Sequence, residues 1–318
     1  MYSEVEKILR RLNDPNLPEL YDFEDTPFAH EFQKIFDFYS TTLKGFSDYG
    51  IDPAIIYFNI RRSVNAFACK RDGVFIVSFN CGTIVHLIKA FEQTLFDSKQ
   101  PQFDSILDVS PNKLMYQLCL HFTLYHEMAH LIQDSRYLSN GLKELNKSEH
   151  KFDKERHLLE LDADQFSSLC IATHICQYLD RIDSPRINFQ LTEYVITIAV
   201  AAMMVYVLSF NSVDHKLYYQ RYYHPHPSIR LSSISQTVID YTYQDRNGRS
   251  SSSKERSNIL VKAANIVQNS TKSDNVLNYV KTLVENYDGI KEYLDSFTLI
   301  NNKETRLATD KWNEMAQK

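Results

Sequence analysis

The chemistry in this sequence concentrates in His126-Glu127-Met128-Ala129-His130. On an α-helix, residues i and i+4 share a face, so two imidazoles at this spacing can grip one metal ion. Glu127 follows the first ligand directly, which puts a carboxylate within reach of water on that metal. Composition alone yields about 0.02 such strings in a chain of this kind. The match therefore outweighs the bland reading, an amphipathic helix with two surface histidines. The ion implied is Zn2+, one per chain, because zinc takes imidazole nitrogen and carboxylate oxygen. A catalytic zinc has three protein ligands and keeps one position open.

Two histidines do not complete that set. The best third ligand is Glu160, in Glu160-Leu161-Asp162-Ala163-Asp164, with Asp164, Asp162 and His157 as rivals. Glu160 and Asp164 lie on one helix face, so one can bind metal while the other holds a ligand imidazole by its second N–H. Ala163 is small enough for two helices to approach there. The bland reading is a solvated acidic turn. His121 and His174 are poorly placed for the same ion and read as structural. His224-Pro225-His226-Pro227-Ser228-Ile229-Arg230 is a rigid polar stretch, since each His-Pro step disfavours helix. His224, His226 or Arg230 could supply the hydrogen bond that a developing oxyanion needs. A plain surface turn is the competing reading.

The elements that must position these groups follow from periodicity. Ser110-Pro111 is a helix start, serine as cap and proline in the first turn. The helix it opens runs through Leu114, Leu118, Phe122, Tyr125 and Ala129, which places the His-Glu string well inside it. A second helix is expected over Asp153 to Leu179 and a third over Leu191 to Phe210. Tyr57 to Ile60, Asn65 to Cys69 and Val74 to Phe79 read as strands, with Arg71-Asp72-Gly73 as a turn. The N-terminal residues up to 48 and the segment Ile84 to Leu95 read as helical, whereas Ser135 to Lys151 reads as a polar loop. Residues 244–257 lack any sizeable apolar side chain and read as a linker or loop. They would separate a catalytic region, 1–243, from a helical appendage, 258–318.

The bulk numbers set limits. A chain of 318 residues, 43% hydrophobic, can bury a sizeable core, and only 7 glycines favour helix over a turn-rich β fold. A net charge of -5 argues against nucleic acid as a partner. The 5 cysteines are odd in number and form no Cys-x-x-Cys pair, so they read as thiols in a reducing, cytoplasmic compartment. Met1 to Leu12 mixes acids and bases and is no secretory signal. Val195 to Phe210 is uncharged but shorter than the roughly 20 residues a spanning helix needs, so a buried core helix is the better reading. A membrane partner is not expected.

Taken together these residues resemble the gluzincin metallopeptidases, in which a His-Glu-x-x-His helix is completed by a glutamate on a following helix. The nearest pattern is the family of HtpX and the prenylated-protein CAAX proteases. Asn65-Ala66-Phe67-Ala68 matches its strand motif, Glu160 to Asp164 its Glu-x-x-Ala-Asp, and His224-Pro225 with Arg230 its late His-Pro motif. That family has a clear pair of membrane helices, absent here. The soluble layout is closer to the Lit-type phage-exclusion peptidases, and more loosely to ImmA-type proteases, whose usual Met-Pro is missing. The resemblance implies an α+β, mostly helical zincin, with a small mixed sheet packed on the active-site helix. It implies a zinc peptidase acting on a protein or peptide, with Asn65, Ala66 and Phe67 holding the substrate backbone and Glu127 as the base. A Lit-like role would mean cutting a host protein during phage infection. Two other readings remain at this level: a catalytically silent zinc-binding protein, and a peptidase anchored by residues 195–210.

Overall fold

The structure, a computed structural model, describes residues 2–92, 94, 96, 100–139, 152–182, 189–209, 216–271, 274–298 and 305–316. It is mostly helical, with one three-stranded mixed sheet. In chain order the elements are α1 (Tyr2–Leu12), α2 (Ala29–Gly45), β1 (Ala54–Asn59), β2 (Ala66–Arg71), β3 (Val74–Asn80), α3 (Cys81–Glu92), α4 (Pro101–Asp104), α5 (Pro111–Gln133), α6 (Arg136–Ser139), α7 (Lys154–Arg181), α8 (Phe189–Ser209), α9 (Pro227–Asn247), α10 (Ser253–Thr271), α11 (Asp274–Glu285), α12 (Tyr287–Thr298) and α13 (Ala308–Ala316). The chain forms two compact units.

The first unit comprises Met1–His86, Thr123–Glu149 and Lys303–Lys318. Its sheet has the order β1-β3-β2, with β1 parallel and β2 antiparallel to β3. The central strand β3 is buried along its whole length, its apolar residues Val74 to Val77 and Phe79 joined by the buried polar Ser78 and Asn80. The β2–β3 turn places Asp72 at φ 46° and Gly73 at φ 80°, the left-handed pair that a two-residue hairpin needs. The outer edge of β1 is closed by an antiparallel bridge between Leu20 and Asn59 and by Tyr21 N–H donating to the Phe58 carbonyl. Phe23, Phe32, Phe36 and Phe58 fill the core beside α2. At the β3–α3 junction the backbone of Arg62 lies so close that a Cβ on Gly82 would meet its carbonyl oxygen at 1.9 Å, so only glycine fits.

The second unit comprises Leu87–Phe122 and His150–Asn302. Asp153 caps α7, its carboxylate accepting from the N–H groups of Glu155 and Arg156. Nearly every residue of α8 is buried, because it packs against both α9 and α10. That accounts for its uniform apolarity. It is long and apolar enough to cross a membrane, but 89% of that stretch is buried inside the structure.

Of the polar run 244–257, expected as a linker or loop, residues 248–252 join two helices whose ends make up the rest. Helix α9 continues to Asn247, Gly248 ends it at φ 63°, and α10 starts at Ser253. Polar residues suffice here because both helix ends face solvent and are held by local bonds. The Ser252 N–H donates to Glu255 at 2.7 Å, and Arg249 pairs with the same carboxylate at 2.6 Å. Of the expected loop 135–151, residues 136–139 form α6, and 140–151 lie outside the described residues.

Candidate metal centre

Helix α5 carries the His-Glu string on a buried face. His126, Glu127 and His130 are 9%, 6% and 6% exposed. Ser110 accepts a bond from the Lys113 N–H at 3.3 Å, which caps the helix where the serine-proline step places it. The Nε2 atoms of His126 and His130 are 3.2 Å apart, with the rings nearly perpendicular. Two nitrogens bound at 2.0–2.1 Å to one tetrahedral ion lie about 3.3 Å apart, so the pair is spaced as zinc ligands. His130 Nδ1 is 2.9 Å from the amide oxygen of Gln133. That oxygen can only accept, so Nδ1 carries the hydrogen and Nε2 presents its lone pair, the tautomer a metal needs.

The third donor is Glu160 on α7. Its carboxylate and one ring nitrogen each of His126 and His130 all lie within 4.8 Å of one another, and all three residues are buried. Two imidazoles and one carboxylate are a donor set that suits zinc. Glu160 is 3% exposed, and its Oε1 lies 3.1 Å from Nδ1 of His224.

The remaining expected residues take separate places. Asp164 is fully buried, and its two oxygens accept from Nε and Nη2 of Arg230 at 2.7 Å each. Burial opposes the charge on Arg230, but the Asp164 carboxylate outweighs it and the guanidinium pKa is raised. Support for the His130 imidazole comes from Gln133, a residue outside the expected set. The signal was available, since Gln133 follows His130 by three residues on the same helix. His226 is the N-cap of α9, its Nδ1 accepting from the Ser228 N–H at 3.0 Å, and Pro227 occupies the first turn. Thus His226-Pro227 is a helix start of the same kind as Ser110-Pro111. His224 remains half-exposed beside Glu160. His157, a rival ligand, instead bonds Tyr293 and the Tyr222 carbonyl. The rings of His121 and His174 lie 5.0 Å apart in the second unit.

Ala66 and Phe67 open β2, with Asn65 just before it, and β2 pairs with β3 alone among the described strands. Asn65 is fixed there by Thr83, whose hydroxyl accepts from its N–H and donates to its carbonyl. Further along β2, burial pushes the Cys69 thiol up to about 12, and the carboxylates of Asp14 and Glu127 push the same way against Arg71. Glu127 therefore lies close to the strand.

Residues 90–247, just under half of the chain, match the family model Peptidase U49. The part of the chain running from α5 through α9 is thus similar to a peptidase family. No curated protein and no solved structure matches the chain significantly.

Proposed function

We propose that this chain is a zinc-dependent endopeptidase with His126, His130 and Glu160 as ligands and Glu127 as its general base. The observation that carries this reading is the gathering of those three donors within 4.8 Å. The match to a peptidase family over the same elements supports it.

A zinc ion held there would acidify water to a pKa of about 7 and polarise a peptide carbonyl. Glu127, buried beside the first ligand, takes the proton from the attacking water and returns it to the departing amine nitrogen. Among the candidates for the oxyanion, Arg230 gives two donors to Asp164 and His226 serves as a helix cap. That favours His224, whose Nδ1 faces Glu160 and whose ring is half-exposed. With Nδ1 donating to Glu160, its Nε2 can donate to the carbonyl oxygen as negative charge develops only in the imidazolium form, in which both ring nitrogens carry hydrogen, and that is the role we assign to His224. The substrate backbone is taken to run along Asn65, Ala66 and Phe67 at the start of β2, a strand with one described strand partner.

The Lit-type resemblance makes the substrate a host protein cut in the bacterial cytoplasm during phage infection. All five cysteines are buried free thiols, which is compatible with a reducing compartment.

The test is zinc analysis of the purified chain together with a peptidase assay, with Glu127→Gln alongside. We expect one zinc per chain in both proteins. Activity should fall by about 10² or more in the variant, the scale of a lost general base. Zinc-dependent activity that survives Glu127→Gln unchanged would remove Glu127 from the reaction, and absence of zinc binding would remove the site.

A further inference from the structure

The segment that carries His224 has no regular structure between Lys216 and His226, yet contacts fix it along most of its length. The Tyr218 ring stands edge-on to Tyr222 and His226 at 4.6 and 4.8 Å. Tyr219 packs on Tyr293 of α12 at 5.4 Å, and its hydroxyl lies 2.7 Å from the position a Cβ on Gly289 would take. The Arg156 guanidinium of α7 sits 4.5 Å from the centre of the Tyr223 ring. At the centre is His157, fully buried on α7.

The bonds of His157 fix its chemical form. Its Nε2 lies 2.5 Å from the Tyr222 carbonyl oxygen, which can only accept, so Nε2 carries a hydrogen. Burial favours the neutral ring, so Nδ1 is an acceptor and the Tyr293 hydroxyl donates to it. A directed chain therefore runs from the α12 hydroxyl, through the α7 imidazole, to the backbone two residues before His224. His224 in turn lies 3.1 Å from Glu160, one turn along α7 from His157.

We propose that α12 is a working part of the site: Tyr293 and His157 are positioning residues that hold the 218–226 segment so that His224 stays beside Glu160. This rests on the peptidase reading for its activity readout. It assigns a role in the reaction to C-terminal residues outside the matched span 90–247.

The variant that isolates the bond is Tyr293→Phe in the full-length protein. It removes only the hydroxyl and keeps the ring against Tyr219 and Phe297. In the otherwise unchanged chain it should lower kcat/KM about tenfold, the scale of a lost orienting partner. Zinc content should not change. In a His224→Gln background the same substitution should cost less than about twofold, because residues acting through one group are not additive. Equal losses in both backgrounds, or no loss in the parent, would overturn the proposal. Amide hydrogen exchange supplies a readout independent of catalysis: Tyr293→Phe should speed exchange in peptides covering 218–226, and unchanged protection there would also overturn it. If the parent chain cleaves no peptide, the peptidase reading fails, and the exchange measurement still decides the clamp.

Discussion

His130 is held at both ring nitrogens, and that fixes the first expectation at the scale of single residues. Gln133 takes the Nδ1 hydrogen while Nε2 faces His126 and the Glu160 carboxylate is near. A ligand and its orienting partner should differ in what their loss does. Glu160→Ala leaves two imidazoles, which hold zinc poorly, so stoichiometric metal should be lost. Gln133→Ala should leave the ligands in place and weaken binding about 10–100-fold. Competition against a chelator of known affinity measures both. A full equivalent of tightly bound zinc in Glu160→Ala would reassign the third ligand, and wild-type affinity in Gln133→Ala would deny that amide its role.

At the scale of elements, α7 and α9 are joined by a buried ion pair. Arg230 donates twice to Asp164, whose carboxylate has no exposure. Removing one partner strands the other charge, which costs about 3–5 kcal/mol, whereas replacing both with apolar groups of similar volume is often neutral. Arg230→Ala should therefore be strongly destabilised in denaturant unfolding, and Asp164→Leu combined with Arg230→Met should recover much of the loss. This separates two roles for Arg230. A variant of near-wild-type stability that has lost activity would return Arg230 to the oxyanion and remove it from the helix pairing.

For the molecule as a whole, buried histidines set the response to acid. Burial, with smaller contributions from neighbouring charge, lowers the pKa of His121 to about 3 and lowers those of His86, His157 and His174 from the ordinary 6.5. The folded chain thus refuses protons that the unfolded chain accepts below pH 6.5. Above that value these groups cost nothing. As pH falls below it, stability declines until each folded pKa is reached, at a limiting rate of about 1.4 kcal/mol per pH unit for a group such as fully buried His157. Thermal unfolding should show the melting temperature dropping between pH 7 and pH 5, with a shallower slope in His121→Asn. A melting temperature independent of pH over that range would contradict this account.

Local patterns reached a good part of this protein. The spacing of His126, Glu127 and His130, the Ser110-Pro111 start, the Asp72-Gly73 turn and the apolar run of α8 each act within a few residues, so the sequence by itself determined them. It also limited the candidates for a third ligand to Glu160, Asp162, Asp164 and His157, all on α7. Choosing between them needed tertiary structure. What lies opposite a helix face comes from residues far away in the chain, and Arg230, 66 residues on, is what engages Asp164. Within 244–257 composition did not mark where α9 ends and α10 begins, because helix ends in water need only local caps, which polar side chains supply. The bonds from His157 to Tyr293, 136 residues apart, leave no periodic trace in the sequence. Only the packing of α7 and α12 around the 218–226 segment decided them.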